Sequence, residues 1–277
     1  MAAFSLSAVL PAALLWATQV GATTFPATVE VDLIFPRNET YAPSALFPIV
    51  FAFQNAALVP SLDPGFDLTL WDSTGNNTIP GQPVLNLWAT NFSGNDPTYV
   101  YTYVTALNTT EGGASASHRL TWGFSAGNCS DKYGALTFGG GFVGSGVEFT
   151  IQSGAQQPDL VAATANSASC ANITHFAFNL TGTLDVAVPA EHDGRNTCAV
   201  FSDVQPQVAG NPCAVQVSSA TASSISAALT ATACAAANPV VSCKSTNAAA
   251  KGWKTGNTAY TAVLGGLVVA FVAMQCL

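Results

Sequence analysis

Gly123-Phe124-Ser125-Ala126-Gly127 has the G-x-S-x-G spacing that exposes a serine Oγ for acyl transfer when it sits at a sharp strand-to-helix turn. Asp159 or Asp185, and then His192, follow in the chain order of nucleophile, acid and base. The context opposes the chemistry. Asn128-Cys129-Ser130, a glycosylation sequon, comes at once, followed by Asp131-Lys132-Tyr133-Gly134 and a second strand-like run with no helix between. A chain of this composition produces the pattern by accident roughly one time in seven, so Ser125 is not expected to act as a nucleophile. Gly139-Gly140-Gly141-Phe142-Val143-Gly144 contains G-x-G-x-x-G, but a dinucleotide site needs a helix N-terminus next. Val147–Gln152 alternates like a strand instead, and the glycines read as a hairpin loop. Glu191-His192-Asp193-Gly194-Arg195 is the densest ionisable cluster and could supply an acid/base pair or metal ligands. Following Val188-Pro189, it reads as a solvated loop. His118 and His175 stand alone and read as structural. No catalytic, cofactor-binding or metal-binding set emerges, and no enzymatic activity or cofactor is expected.

One binding pattern stays open. Tyr99, Tyr101 and Tyr103 alternate with Val100, Thr102 and Val104. With the valines toward a core, the three rings form an exposed ladder suited to stacking on sugars; with the rings inward they are ordinary β-core. Trp71, Trp88 and Trp122 lie in apolar runs and read as core.

The elements that carry these residues are strands. Val29, Val31 and Leu33 alternate with Glu30 and Asp32; Phe66, Leu68 and Leu70 with Asp67 and Thr69; Val147, Phe149 and Ile151 with Glu148, Thr150 and Gln152. Pro48–Phe53, Val84–Thr90, Thr98–Leu107, Arg119–Phe124 and Thr174–Val188 are further candidates. Turn signals such as Asp63-Pro64-Gly65 and Ile79-Pro80-Gly81 separate them. Many short strands without intervening helices predict an all-β fold, an antiparallel β-sandwich. Beyond Cys213 the chain turns rich in Ala, Ser and Thr. A mucin-like stalk is one reading. A short helix over about Ala220–Ala233, with Ile225 and Leu229 on one face, is the other.

Both ends carry processing signals. Phe4–Trp16 is apolar and Val20-Gly21-Ala22 supplies small residues for cleavage, so residues 1–22 are expected to be a signal peptide. Ala259–Leu277 is uncharged and apolar; upstream lie the polar spacer Lys251–Asn257 and the small residues Asn247-Ala248-Ala249-Ala250. That order is a glycosylphosphatidylinositol (GPI) attachment signal, with Asn247 the expected acceptor and 248–277 removed. The expected layout is a β-sandwich ectodomain over 23–213 and a disulfide-bearing extension or stalk over 214–247.

Export fits the cysteines and sequons. Cys129, Cys170, Cys198, Cys213, Cys234 and Cys243 make an even set, read as three disulfides between sequence neighbours: Cys129–Cys170, Cys198–Cys213 and Cys234–Cys243. Without any C-x-x-C spacing, thiolate metal binding is not expected. Sequons begin at Asn38, Asn76, Asn91, Asn108, Asn128, Asn172 and Asn179, against roughly three by chance. Fifteen acidic residues against seven basic ones give a formal net charge of −8. That excess excludes nucleic acid as a partner.

Val31-Asp32-Leu33-Ile34-Phe35-Pro36-Arg37-Asn38-Glu39-Thr40-Tyr41-Ala42-Pro43, with Phe47–Asn55 close behind, resembles an ascomycete family of secreted proteins carrying a domain of unknown function. The likeness covers about Pro26 to Cys243. It implies a signal peptide, a β-rich ectodomain, late cysteines and often a GPI-type tail, and supplies no catalytic residues. The expected protein is an N-glycosylated fungal surface glycoprotein, anchored to the plasma membrane or transferred to the wall, with a structural or interaction role. Its expected contacts are the membrane through the anchor, and wall polysaccharide or another surface protein. The alternatives are a carbohydrate-binding module, and a hydrolase of wall glycans or esters.

Overall fold

Period-2 alternation gives strands two-faced character, and among the described residues nine strands arrange into two sheets. The computed structural model describes residues 24–72, 74–94, 96–107, 115–186 and 196–243. The strands are β1 (Ala27–Phe35), β2 (Thr40–Tyr41), β3 (Phe47–Gln54), β4 (Gly65–Trp71), β5 (Thr98–Val104), β6 (Ala116–Ser130), β7 (Thr137–Ile151), β8 (His175–Asp185) and β9 (Thr197–Phe201). One sheet runs β5-β3-β1-β8-β9 and the other β2-β7-β6-β4. Pairing is antiparallel throughout except between β2 and β7. The all-β sandwich expected from the alternation is the fold observed.

The sheets meet through aromatic rings. Phe47, Phe51 and Phe53 of β3 project toward the four-stranded sheet, where Phe51 meets Phe66 at 4.7 Å and Trp122 at 5.0 Å, and Phe53 meets Phe124 at 6.0 Å. Phe47 stacks on Phe149 at 5.1 Å, and Phe176 and Phe178 of β8 reach Trp122 and Phe124. Val29, Val31 and Leu33 fill the same layer and are buried. Edge-to-face and offset packing of this kind adds to the area term for each ring.

A third layer covers the opposite face of the five-stranded sheet. After β9 the chain runs along β8, with Val208 N donating to Ala177 O and Asn179 N to Pro206 O. It then crosses to helix α2 (Ser219–Ala235), which follows the short α1 (Ser167–Cys170) in chain order. Ser218 caps α2 by accepting from Thr221 N at 3.1 Å. Val215, Val217, Ile225, Leu229 and Ala233 are buried. The i,i+4 pair Ile225 and Leu229 therefore marks a docked helix. The chain divides into two units after Val241, and of the second, Ser242–Leu277, only Ser242 and Cys243 are described.

The disulfides correct two of the three expected neighbour pairs. Cys129 bonds Cys198, joining β6 of one sheet to β9 of the other, and Cys170 bonds Cys213, tying α1 to the root of the extension. Cys234 and Cys243 are disulfide-bonded too. Loops of 69 and 43 residues are closed, each worth about 4 kcal/mol in the chain-entropy account. Two element assignments also differ. Residues 84–90 form no strand, because the Gln82 side chain takes the pairing position: its Oε1 accepts from Leu70 N at 2.8 Å and its Nε2 donates to Leu70 O at 3.0 Å. Trp88 on that segment is 65% exposed and no part of the core. The glycines of residues 139–146 lie inside β7 and form no loop.

Phe124 is fully buried between Phe53, Phe66 and Phe178. Phe124→Ala should lower unfolding free energy in urea by about 3–5 kcal/mol. A loss below about 1 kcal/mol would mean that the ring is not at the centre of the core.

Candidate functional site

Alternation that sends Val29, Val31 and Leu33 into the aromatic layer must send Glu30 and Asp32 out of the other face of β1. Because that face carries the C-terminal layer, both carboxylates are buried: Glu30 is 4% exposed and Asp32 fully enclosed. Strand register builds the surroundings. Asp32 lies opposite His175 on β8 and Ala52 on β3, and Ala52 lies opposite Tyr99 on β5. Glu30 lies opposite Gln54 and Ala177. The two alanines keep the row low enough for the Gly210–Asn211 turn to settle on it. A Cβ at Gly210 would overlap Glu30 Oε1 and the Cδ2 edge of the His175 ring.

Each acid has one oxygen engaged. Asn211 N donates to Glu30 Oε2 at 2.7 Å, and Gln54 Nε2 donates to Asp32 Oδ2 at 2.9 Å and to Asn211 O at 3.2 Å. Glu30 Oε1 and Asp32 Oδ1 are buried without a hydrogen-bond partner. Burial first, then the neighbouring Glu30 carboxyl, push the Asp32 carboxyl up to about 8, while donation from Gln54 pulls it down. Burial, and then Asp32, likewise raise the Tyr99 phenol. His175 Nδ1 lies 3.1 Å from Ile173 O. Glu30, Asp32 and His175 each offer a ligand atom within 4.8 Å of the others, so this is the group that could hold a metal ion. His175 does not stand alone. The polar positions of β1 signalled the site in the sequence only as a solvated face; what buries them comes from some 180 residues downstream, where Asn211 contacts Glu30 across a separation of 181.

The outer face of the four-stranded sheet is built differently. Across β4, β6 and β7 it presents rows Asp67–Gly123–Gly144, Thr69–Thr121–Gly146 and Trp71–Arg119–Glu148. The Phe142 ring covers Gly123, where a Cβ would overlap it, and remains 60% exposed. A shallow cavity of about 420 Å³ lies beside that ring, lined by Asp67, Thr69, Arg119, Thr121 and Gly146 among others. Trp71 Nε1 donates to Thr121 Oγ1 at 2.9 Å, and Asp67, Arg119 and Glu148 are exposed. An open aromatic face above a glycine floor, ringed by carboxylates and a guanidinium, can stack on a flat ring and bond its hydroxyls.

The other sequence candidates lie on separate elements. Ser125 sits mid-strand in β6 opposite Gly65 and Phe142, not at a strand-to-helix turn. Asp159 caps a turn, accepting from Val161 N and Ala162 N, and Asp185 ends β8. Val100 and Val104 face the core, but Tyr99, Tyr101 and Tyr103 are half-buried on the outer side of an edge strand, and Tyr99 Oη donates to Gln216 O at 3.4 Å. The C-terminal layer thus covers part of the expected ladder. Asn38, Asn76, Asn91 and Asn172 are exposed, and Asn128 and Asn179 half-buried. Asn108, His192 with its neighbours, Asn247, the signal segment 1–22 and the tail 248–277 lie outside the described residues.

A family model described as Domain of unknown function (DUF7136) matches residues 24–243. Neither a curated protein nor a solved structure matches.

In chelator, Asp32 gives the fold a pH signature. Its folded value near 8 lies above the unfolded value of 3.8, so the stability that Asp32 contributes is fully present below pH 4 and is lost as pH rises toward 8. Asp32→Asn should flatten that fall and leave the variant more stable than wild type near pH 8. Urea unfolding at pH 4.5 and pH 8 reads it; parallel profiles for the two proteins would show that Asp32 is not a buried acid.

Proposed function

We propose that this chain, which belongs to the DUF7136 family, is a GPI-anchored, N-glycosylated protein of a fungal surface with an interaction role. The observation that carries this reading is the outer face of the four-stranded sheet, where Phe142 stands exposed over Gly123 among Asp67, Thr69, Arg119 and Thr121. An exposed aromatic ring beside a shallow cavity with a few polar side chains is an arrangement suited to contact with a ligand or partner. The surface positions of Asn38, Asn76, Asn91 and Asn172 support glycosylation. The apolar tail and small-residue cluster of the sequence support the anchor.

A second reading is a carbohydrate-binding module for wall polysaccharide. The shallow cavity favours it, because Asp67, Thr69, Arg119 and Thr121 border open space beside the exposed Phe142 ring that covers Gly123. This binding surface lies on the sheet opposite the one carrying Tyr99, Tyr101 and Tyr103.

The test uses the full chain, expressed in a secreting eukaryotic host. Phosphatidylinositol-specific phospholipase C should release it from membranes; retention contradicts the anchor. Detergent-extracted protein is then incubated with insoluble fungal wall polysaccharides. Depletion from solution that Phe142→Ala reduces about tenfold, with unchanged melting temperature, supports the binding module. No depletion leaves a protein partner at the same face, and release of soluble sugar contradicts the non-enzymatic reading.

A further inference from the structure

We propose that Glu30, Asp32 and His175 form a divalent-cation site beneath the Gly210–Asn211 turn, with Zn²⁺ or a similar first-row ion as ligand. The three side chains bring one ligand atom each to within 4.8 Å of the others. Their outward-facing atoms are already engaged: Glu30 Oε2 by Asn211 N, Asp32 Oδ2 by Gln54 Nε2. An Nδ1–H donated to Ile173 O fixes the basic nitrogen of His175 at Nε2, the second-shell arrangement that orients metal-bound imidazoles. Nε2 adjoins the Cδ2 edge of the ring, and that edge and Glu30 Oε1 border the same point above Gly210.

The independent pointer is the pair of orphaned oxygens. Glu30 Oε1 and Asp32 Oδ1 belong to side chains that are 4% and 0% exposed, and neither receives a hydrogen bond. Buried acceptors without donors are rare and call for an ion, a proton or a water. A single shared proton neutralises one charge of two and gives His175 no part. A divalent cation neutralises both and uses all three residues. Among the described residues, no lysine or arginine contributes to the field at Asp32. Mixed imidazole and carboxylate donors suit Zn²⁺, Fe²⁺ or Mn²⁺ better than Ca²⁺ or Mg²⁺. The site is enclosed, so the ion's role is structural: it joins β1 to β8, and through the Asn211–Glu30 bond it reaches the C-terminal layer. This inference does not rest on the proposed surface role.

The full chain in mild detergent, stripped with chelator and dialysed, is titrated with Zn²⁺ and separately with Mn²⁺ by calorimetry. One Zn²⁺ should bind per chain, with a melting temperature that climbs with ion concentration. Asp32→Asn and His175→Gln should each weaken binding by about a hundredfold. No binding by the wild type, or equal binding by both variants, overturns the site. Should a variant fail to fold, the visible absorption of the Co²⁺-loaded wild type decides: intense low-symmetry bands support imidazole–carboxylate ligation, whereas the weak spectrum of the hydrated ion contradicts it.

Discussion

Two carboxylates on the outward face of a central strand constrain everything downstream of them. β1 lies in the middle of its sheet, with β3 on one side and β8 on the other. Its outward row is Glu30 and Asp32, not the exposed charges that an ordinary two-layer sandwich would leave in water. Enclosing them costs on the order of several kcal/mol each unless donors or a counter-ion meet them. The chain meets that demand with Gln54 from the neighbouring strand and with Asn211 from the far end of the domain. The C-terminal segment is therefore not an appendage. It supplies part of the solvation that the central strand lost to folding, and its apolar residues Val215, Val217, Ile225 and Leu229 are buried in the same step.

The two outer faces of the sandwich divide the work. The five-stranded sheet is packed by aromatic rings within and is covered in part by the extension without, over Glu30, Asp32 and the neighbouring strands. The four-stranded sheet keeps its outer face open and lines it with glycines, threonines, charges and the Phe142 ring. Glycine in a strand sacrifices packing and conformational entropy. Gly123 accepts that cost because Phe142 lies where its side chain would be. A closed face that stabilises and an open face that contacts suit a durable surface module.

Legibility in the sequence followed the range of each interaction. Alternation is local, so the strands around Val31, Phe51, Leu68 and Phe149 could be read, as could the helix face from Ile225 and Leu229. Residues 84–90 misled because a side chain, Gln82, stands in for a strand and no periodicity records that. The glycines of β7 misled because they continue a long ladder with β6, a pairing that local composition does not record. The Cys129–Cys198 bridge could not be read, since it depends on which sheet each strand joins. The acid pair was visible as residues and invisible as a site. Nothing near Glu30 or His175 announces Asn211.

The central claim, that the extension is the third layer of the fold, is tested most directly by hydrogen–deuterium exchange on the intact chain. The amides of Val208, Asn211 and Val217, with those of α2, should exchange only with global unfolding, at the free energy measured for the central amides of β1. Exchange in these segments orders of magnitude faster, while β1 stays protected, would contradict the account and return the extension from residue 214 to the status of a stalk on a self-sufficient sandwich.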